Sequence, residues 1–386
     1  MITPVDHDHA LTQVPETLRT DELLINMGPQ HPSTHGVLRV VIATDGEIVK
    51  SAIPEIGYLH RCFEKHCENV DYMGVAPYVD RLDYLASMNN AMGYAIAVER
   101  LMGLEVPRRA EYIRVILSEL QRIASHLMSF GTYGLDMGAF TAFMYGFRDR
   151  EMILDTFEAM SGARLLYNHM WIGGVARDIT PESVTQIRDF LRYFRPKIGE
   201  YNDLLSYNRI FVERTANVGV IDRDLCYTYG LTGVLLRAAG VKWDLRKNIP
   251  YSIYPEVEFE VPVASGEVGT LGDCWDRHIV RMREMEQSVR IIEQLIDGIP
   301  EGPFRGKVGK TVKPPAGEIY VRTECPRGEL GFYIISDGTA KPFRIRAKSP
   351  CFLNISTLGE LAPGMMVADV VATIGSLDIV LGEVDR

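Results

Sequence analysis

Glu111-Tyr112-Ile113-Arg114-Val115-Ile116-Leu117-Ser118-Glu119-Leu120-Gln121-Arg122-Ile123-Ala124-Ser125-His126-Leu127-Met128 sets the architecture of the chain. Tyr112, Ile113, Ile116, Leu120, Ile123 and Leu127 recur at three- and four-residue spacing, so one broad helical face is apolar. Such a face needs other helices to cover it, and the flanking sequence supplies them. Asp83–Met102 repeats Leu85, Met88, Met92 and Ile96 before a stop at Gly103. Met152–Tyr167 is a further helical segment. Pro181–Tyr207 opens with Thr180 as cap, Pro181 in the first position and Glu182 in the first turn. Asp273–Ile299 turns Ile279, Met282, Met285, Val289, Ile292 and Ile296 inward and ends at Pro300. Together they predict a helical bundle over 61–300. A chain of 386 residues can bury roughly 75% of its unfolded surface, enough for such a core.

Outward from the bundle the period changes from helical to extended. Leu23–Met27 and Val37–Ile42 read as strands joined by the turn-rich Gly28–Gly36, and Asp45-Gly46 is a hairpin signal leading to Ile48–Ile53. The region 21–60 is therefore β-rich, preceded by a polar, proline-interrupted arm over 1–20. After Pro300, Glu318–Arg322, Leu330–Ser336 and Phe343–Ala347 read as strands, with Asp337-Gly338 turning between the last two. Asp378–Arg386 is too regular for a loose tail, and 301–386 reads as a C-terminal β-containing region. The expected class is α+β, mainly helical, with small β-containing parts at both ends of a central bundle.

Composition excludes several function classes. A formal charge of −10 disfavours nucleic acid as a partner, because phosphate binding needs a basic footprint. The six cysteines, at 62, 67, 226, 274, 325 and 351, lack the close pairs of a zinc or iron–sulfur framework. Met1–Arg19 holds three acidic residues and no apolar core, unlike a secretory signal. Ser125–Phe147 has the length of a membrane span, but Asp136 and the interruptions at Gly131, Gly134 and Gly138 favour a buried crossing of a protein core. There is no GxGxxG after a strand, no Walker loop, no HExxH and no nucleophile elbow, so neither NADH nor ATP is expected on this chain.

Candidate chemistry lies in a few polar residues. His31 and His35 sit in a Gly- and Pro-rich loop, a pattern open to metal binding, ligand contact or a hydrogen-bonded turn. Arg61 and Lys65 flank Glu64, and Arg81 and Asp83 precede Tyr84. These charges suit either a solvated, paired surface or a polar rim. Asp136 differs because its neighbours are apolar, and a carboxylate there needs a donor or a raised pKa.

The run Asn26-Met27-Gly28-Pro29-Gln30-His31-Pro32-Ser33-Thr34-His35-Gly36 resembles the quinone-proximal, 49 kDa-type subunits of NADH-quinone oxidoreductase, respiratory complex I. The likeness continues through Ile56-Gly57-Tyr58-Leu59-His60-Arg61, Arg81-Leu82-Asp83-Tyr84, Leu135-Asp136-Met137-Gly138-Ala139, Pro326-Arg327-Gly328-Glu329 and Leu377–Arg386, in order along nearly the whole chain. That family is similar in fold to the large subunits of nickel–iron hydrogenases, which hold their metal with two close cysteine pairs. Cys62 and Cys67 make no such pair and the C-terminus offers no thiol, so no metal is expected here.

The resemblance implies a quinone-reduction site, with ubiquinone or menaquinone as substrate, and coupling of electron transfer to ion translocation by the complex. His35 and Tyr84 would bind and protonate the quinone, Asp136 would pair with His35, and His31 would line the cavity. Arg61, Lys65, Arg81 and Asp83 would form the surrounding network. Implied partners are a small iron–sulfur subunit carrying the terminal 4Fe–4S cluster, a 30 kDa-type subunit and a quinone-channel membrane subunit. NADH and the clusters would sit on partners, and the chain would be peripheral on the cytoplasmic side of a bacterial membrane. Two positions depart from the pattern. Cys62 replaces a glycine common after the arginine, and its thiol is expected to be buried. Leu166 stands where many mitochondrial-type relatives carry a histidine near the terminal cluster.

Overall fold

A computed structural model describes residues 22–386, so the arm expected over 1–20 lies outside the described residues. Three antiparallel strands come first: β1 (Glu22–Met27), β2 (Arg39–Asp45) and β3 (Ile48–Glu55), in that order across the sheet. Met27 faces Val40, and Ile42 faces Ala52, which puts alternate residues Val40 and Ile42 on the buried face. The short helices α1 (Phe63–Cys67) and α2 (Tyr72–Asp80) lead to α3 (Ser87–Met102), α4 (Arg108–Asp136) and α5 (Phe140–Ser161). A two-residue hairpin, β4 (Met170–Trp171) with β5 (Gly174–Val175), precedes α6 (Pro181–Tyr201), which runs on as a π turn over Asn202–Ser206.

Four small helices follow: α7 (Arg209–Thr215), α8 (Arg223–Tyr229), α9 (Gly233–Ala238) and α10 (Leu245–Asn248). The long α11 (Cys274–Ile296) then leads to the antiparallel sheet β6 (Gly317–Cys325), β7 (Gly328–Ser336) and β8 (Arg344–Lys348). Four helices close the chain: α12 (Pro350–Ser356), α13 (Leu358–Leu361), α14 (Val367–Leu377) and α15 (Leu381–Asp385). Mainly helical α+β is the observed class.

α4, α5, α6 and α11 pack as the bundle, with α3 on one side of α4. Local chemistry fixes their ends. Thr180 accepts from the Ser183 amide at 3.2 Å and Asp273 from that of Asp276 at 2.9 Å, both as helix N-caps. The helix expected from Asp83 begins at Ser87, because Asp83 instead bonds the Leu85 amide and closes a turn with Ala86. The segment expected as helical over Met152–Tyr167 starts at Phe140 and stops at Ser161, where Gly162 takes a left-handed φ of 86°.

The buried crossing expected over Ser125–Phe147 is a helical hairpin, α4 to α5. A Cβ on Gly134 would sit 2.9 Å from that of Ala142, and one on Gly146 2.9 Å from the Leu127 carbonyl. The glycines form the seam along which two helix backbones touch. No helix among the described residues is long and apolar enough to cross a membrane.

Inside the bundle lies a fully buried ion network. Glu119 accepts from Arg246 at 3.1 Å, Arg246 also holds Asp244, and Arg237 joins Glu284 at 2.6 Å to Glu324 at 2.8 Å. His126 of α4 meets Glu284 at 2.9 Å. A second apolar core joins the two ends of the chain: Leu38, Val40 and Val49 from the N-terminal sheet pack with Cys351, Ile355, Leu377, Leu381 and Val384. Asp385 completes this join by accepting from the Gly57 amide at 2.9 Å and the Leu59 amide at 2.6 Å.

Candidate functional site

The loop between β1 and β2 is built by its own side chains. Pro32–Thr34 makes one 3-10 turn, which His31 caps by accepting from the Ser33 amide at 3.2 Å, while buried Thr34 donates to the His31 carbonyl at 2.8 Å. His35 ends the turn at φ 51°, ψ 34°, and the following Gly36 lies against Leu381 of α15. This left-handed conformation is uncommon for a residue with a side chain, and it aims the ring at the end of α4. There His35 Nε2 and Asp136 Oδ2 are 2.6 Å apart, with side chains 14% and 6% exposed. Burial opposes charge on the imidazole, but the hydrogen bond and negative charge of Asp136, with help from Asp378, outweigh it and raise the pKa above its ordinary 6.5.

Tyr84, half-buried, begins the approach to α3. Burial first and the neighbouring Asp83 second push its phenol pKa above 10, with Arg327 opposing, so it is a proton donor rather than a base. Asp83 belongs to a buried hub around Arg327. Arg327 Nη1 donates to Asp83 at 2.7 Å and to Ser125 of α4 at 2.9 Å, while Nη2 reaches Asp378 at 3.2 Å and Nε the Asp378 carbonyl at 2.8 Å. Arg281 of α11 stands 3.6 Å from the same Asp378. Sequence reasoning assigned no role to Arg327, Asp378 or Glu383. The signal was present: Asp378 and Glu383 lie in an apolar run, the feature that singled out Asp136.

Two halves thus meet: a histidine loop bonded to α4, and a tyrosine beside an arginine hub that the C-terminal segment completes. A family model described as "Respiratory-chain NADH dehydrogenase, 49 Kd subunit" matches residues 136–314 and 306–386. The chain belongs to that family. It is similar to the corresponding NADH-quinone oxidoreductase subunit of Chlorobaculum tepidum, 53% identical over 386 residues that cover 99% of this chain and 96% of the relative. The counterpart in Pelodictyon phaeoclathratiforme is 55% identical over 377 residues, covering 97% and 94%. That of Chlorobium phaeobacteroides is 56% identical over 373 residues, covering 96% and 93%. Membership of the 49 kDa family makes this protein one of the subunits of the respiratory NADH-quinone oxidoreductase complex.

In this 49 kDa-family chain the other expected site residues are spread around the two halves. His31 is exposed and bonded within its own loop. Arg61 donates to the Arg81 carbonyl at 2.6 Å, and Arg81 to that of Pro77 at 2.6 Å, so these two form one exposed strap beside Tyr84. Lys65 is paired instead with Glu68 at 2.6 Å and joins none of Arg61, Arg81 and Asp83. Cys62, expected to be buried, is exposed. It takes φ 55°, a conformation that favours glycine, and its thiol stands 3.6 Å from His60 Nε2. Leu166 also takes a positive φ, of 58°. His169 nearby is buried, with no partner for either ring nitrogen among the described residues, and burial pulls its pKa down to about 4, so it is neutral.

Proposed function

We propose that this chain forms the quinone-reduction site of NADH-quinone oxidoreductase, as one wall of a cavity completed by a small iron–sulfur subunit. The His35–Asp136 hydrogen bond carries the reading. With Nε2 engaged by Asp136, Nδ1 is left to face a quinone oxygen, and the carboxylate favours the imidazolium that can donate a proton. Tyr84 offers a phenol to the other oxygen. Quinone then takes two electrons and two protons to become quinol, His35 and Tyr84 supplying the protons at the two oxygens. The electrons arrive from NADH through the partner's terminal 4Fe–4S cluster.

Leu135, Phe140 and Met144, 40%, 59% and 53% exposed beside Asp136, support an apolar quinone wall and a subunit contact there. His31 lines the entrance, and Arg61, Arg81 and Asp83 hold the surround. A 30 kDa-type subunit and a quinone-channel membrane subunit complete the assembly, which holds the chain against the cytoplasmic face of a bacterial membrane. Loss of positive charge from the His35–Asp136 pair on quinol formation is the event that couples the site to ion translocation.

Replacing His35 with Gln and Tyr84 with Phe, singly, tests the site in the purified complex. Each variant should assemble and pass electrons from NADH to an artificial acceptor at the normal rate while quinone reduction falls about 10²-fold or more. Unchanged quinone turnover in both variants removes the direct site and reduces the chain to a scaffold.

A further inference from the structure

Buried near Tyr84 is a carboxyl group that the proposed reaction has not used. Glu383 of α15 is 1% exposed, its Oε2 has no hydrogen-bond partner of ordinary geometry among the described residues, and the adjacent Cys351 only partly offsets its burial. Around it stand Asp83 ahead of α3, Cys325 and Arg327 at the β6–β7 turn, and Cys351 of α12. The cation in this set is Arg327, and its donors are directed to Asp83, Ser125 and Asp378. Cys351 stays a thiol, because burial and then Glu383 push its pKa well above 9. An ionised Glu383 would therefore be a second buried anion facing Asp83 without a cation of its own, which burial and the like charge both disfavour unless the group takes up a proton.

The position of Glu383 is as telling as its surroundings. Leu381, two residues before it, lies against Gly36, the neighbour of His35. Gly382, one residue before it, is packed so closely on the Leu82 and Arg81 carbonyls that a Cβ there would sit 2.7 Å from the first. One turn of chain thus touches both segments that present the proton donors. Tyr84 and Glu383 also share neighbours, Asp83, Cys351 and Arg327.

We infer that Glu383 is a proton-positioning residue for quinone reduction, a neutral acid at rest that reprotonates Tyr84 after quinol forms. This rests on the reading of His35 and Tyr84 as the quinone's proton donors. When Tyr84 gives its proton to the reduced quinone, a phenolate remains beside Asp83. The Glu383 O–H bond then breaks and the Tyr84 O–H bond re-forms, beside the Asp83 that both groups neighbour, and solvent returns one proton to the Glu383 carboxylate. No electrons move in this step; the two used on the quinone come from NADH. Burial, and after it Asp83, push the Glu383 pKa to about 8, which keeps the reserve loaded at neutral pH and releasable to a phenolate.

The test uses the intact complex carrying Glu383→Gln, with Glu383→Asp as a second variant. Glu383→Gln should slow NADH-to-quinone turnover about tenfold at pH 7 and remove from the pH profile the component that titrates near pH 8, leaving the alkaline fall set by His35. Glu383→Asp, which keeps a transferable proton, should recover part of the rate. Infrared difference spectra of the wild type should show a protonated carboxyl band that titrates near pH 8 and is missing in Glu383→Gln. Normal turnover with an unaltered pH profile in Glu383→Gln overturns the inference, as does a wild-type complex lacking that band at pH 7. Should Glu383→Gln fail to assemble, the wild-type band and the Glu383→Asp profile still decide. If His35→Gln and Tyr84→Phe leave turnover unchanged the quinone-site reading itself fails; if they slow it and Glu383→Gln does not, only the role of Glu383 falls.

Discussion

Asp136 stands at the last residue of α4, where it receives the imidazole of a loop 101 positions earlier in the sequence. Its hydrogen bond and then its negative charge are the largest of the effects that overcome the burial of His35. Asp136→Asn keeps the volume and removes the charge, so desolvation should then dominate and the His35 pKa should fall. Quinone turnover should drop by at least about tenfold, within the range of a lost acid–base group, while NADH oxidation by an artificial acceptor stays normal. The sign of the pH effect follows from the same shift. A histidine with a raised folded pKa contributes stability and donor capacity that are complete below about 6.5 and disappear as pH rises through the higher folded value. In Asp136→Asn the alkaline fall in turnover should therefore move to lower pH, and an unmoved profile would assign Asp136 a purely structural role. Nothing in the residues alone joined positions 35 and 136; that pairing was legible only through family resemblance, because sequence spacing reports neighbours within one element and not across a fold.

The α4–α5 hairpin places Asp136, and its glycine seam shows what helical periodicity leaves unread. Tyr112 through Leu127 announced a helix, but Gly131 and Gly134 read as interruptions, and the helix in fact continues to Asp136. A glycine costs a helix about 1 kcal/mol on propensity. Here close backbone packing offsets that cost, a tertiary effect with no local signature. The same limit hid the first half of α5, α2 with its internal Pro77, and the four closing helices, each too short or too mixed to show a period. Capped helices were easier: Thr180 marked the start of α6 to the residue, and the helix expected from Asp273 begins one residue later with Asp273 as its cap. Gly146→Val should force α5 away from the Leu127 carbonyl, a backbone atom that cannot swing aside. About 1–3 kcal/mol of stability should be lost, as in other overpacked cores, visible as a lower denaturation temperature of the complex. Quinone turnover should fall with it, because the splayed hairpin carries Asp136 away from His35; a tolerated valine at full activity would show that the seam can open without moving the site.

For the molecule as a whole, two features set its behaviour. The bundle interior is ionic as well as apolar, and Arg237 alone faces Glu284, Glu324 and Asp244. Arg237→Met should leave buried carboxylates uncompensated, with a loss of about 3–5 kcal/mol and little of the mutant protein recovered in the purified complex. Quantitative recovery with an unchanged melting temperature would show that the carboxylates find protons or another cation. The exposed Leu135, Phe140 and Met144 predict that the isolated chain self-associates, and light scattering showing a stable monomer at micromolar concentration would oppose that. The second core, in which β2 packs with α14 and α15 and Asp385 holds Gly57 and Leu59, has a consequence for biosynthesis. The His35 loop leaves the ribosome early, yet Leu381 and Asp385, its supports, are made last. At roughly 5–20 residues per second, the loop waits on the order of 20–70 seconds for its partners. A stalled or prematurely terminated message would yield chains with most of their helices and no place for the loop to dock, a product for proteolysis rather than assembly.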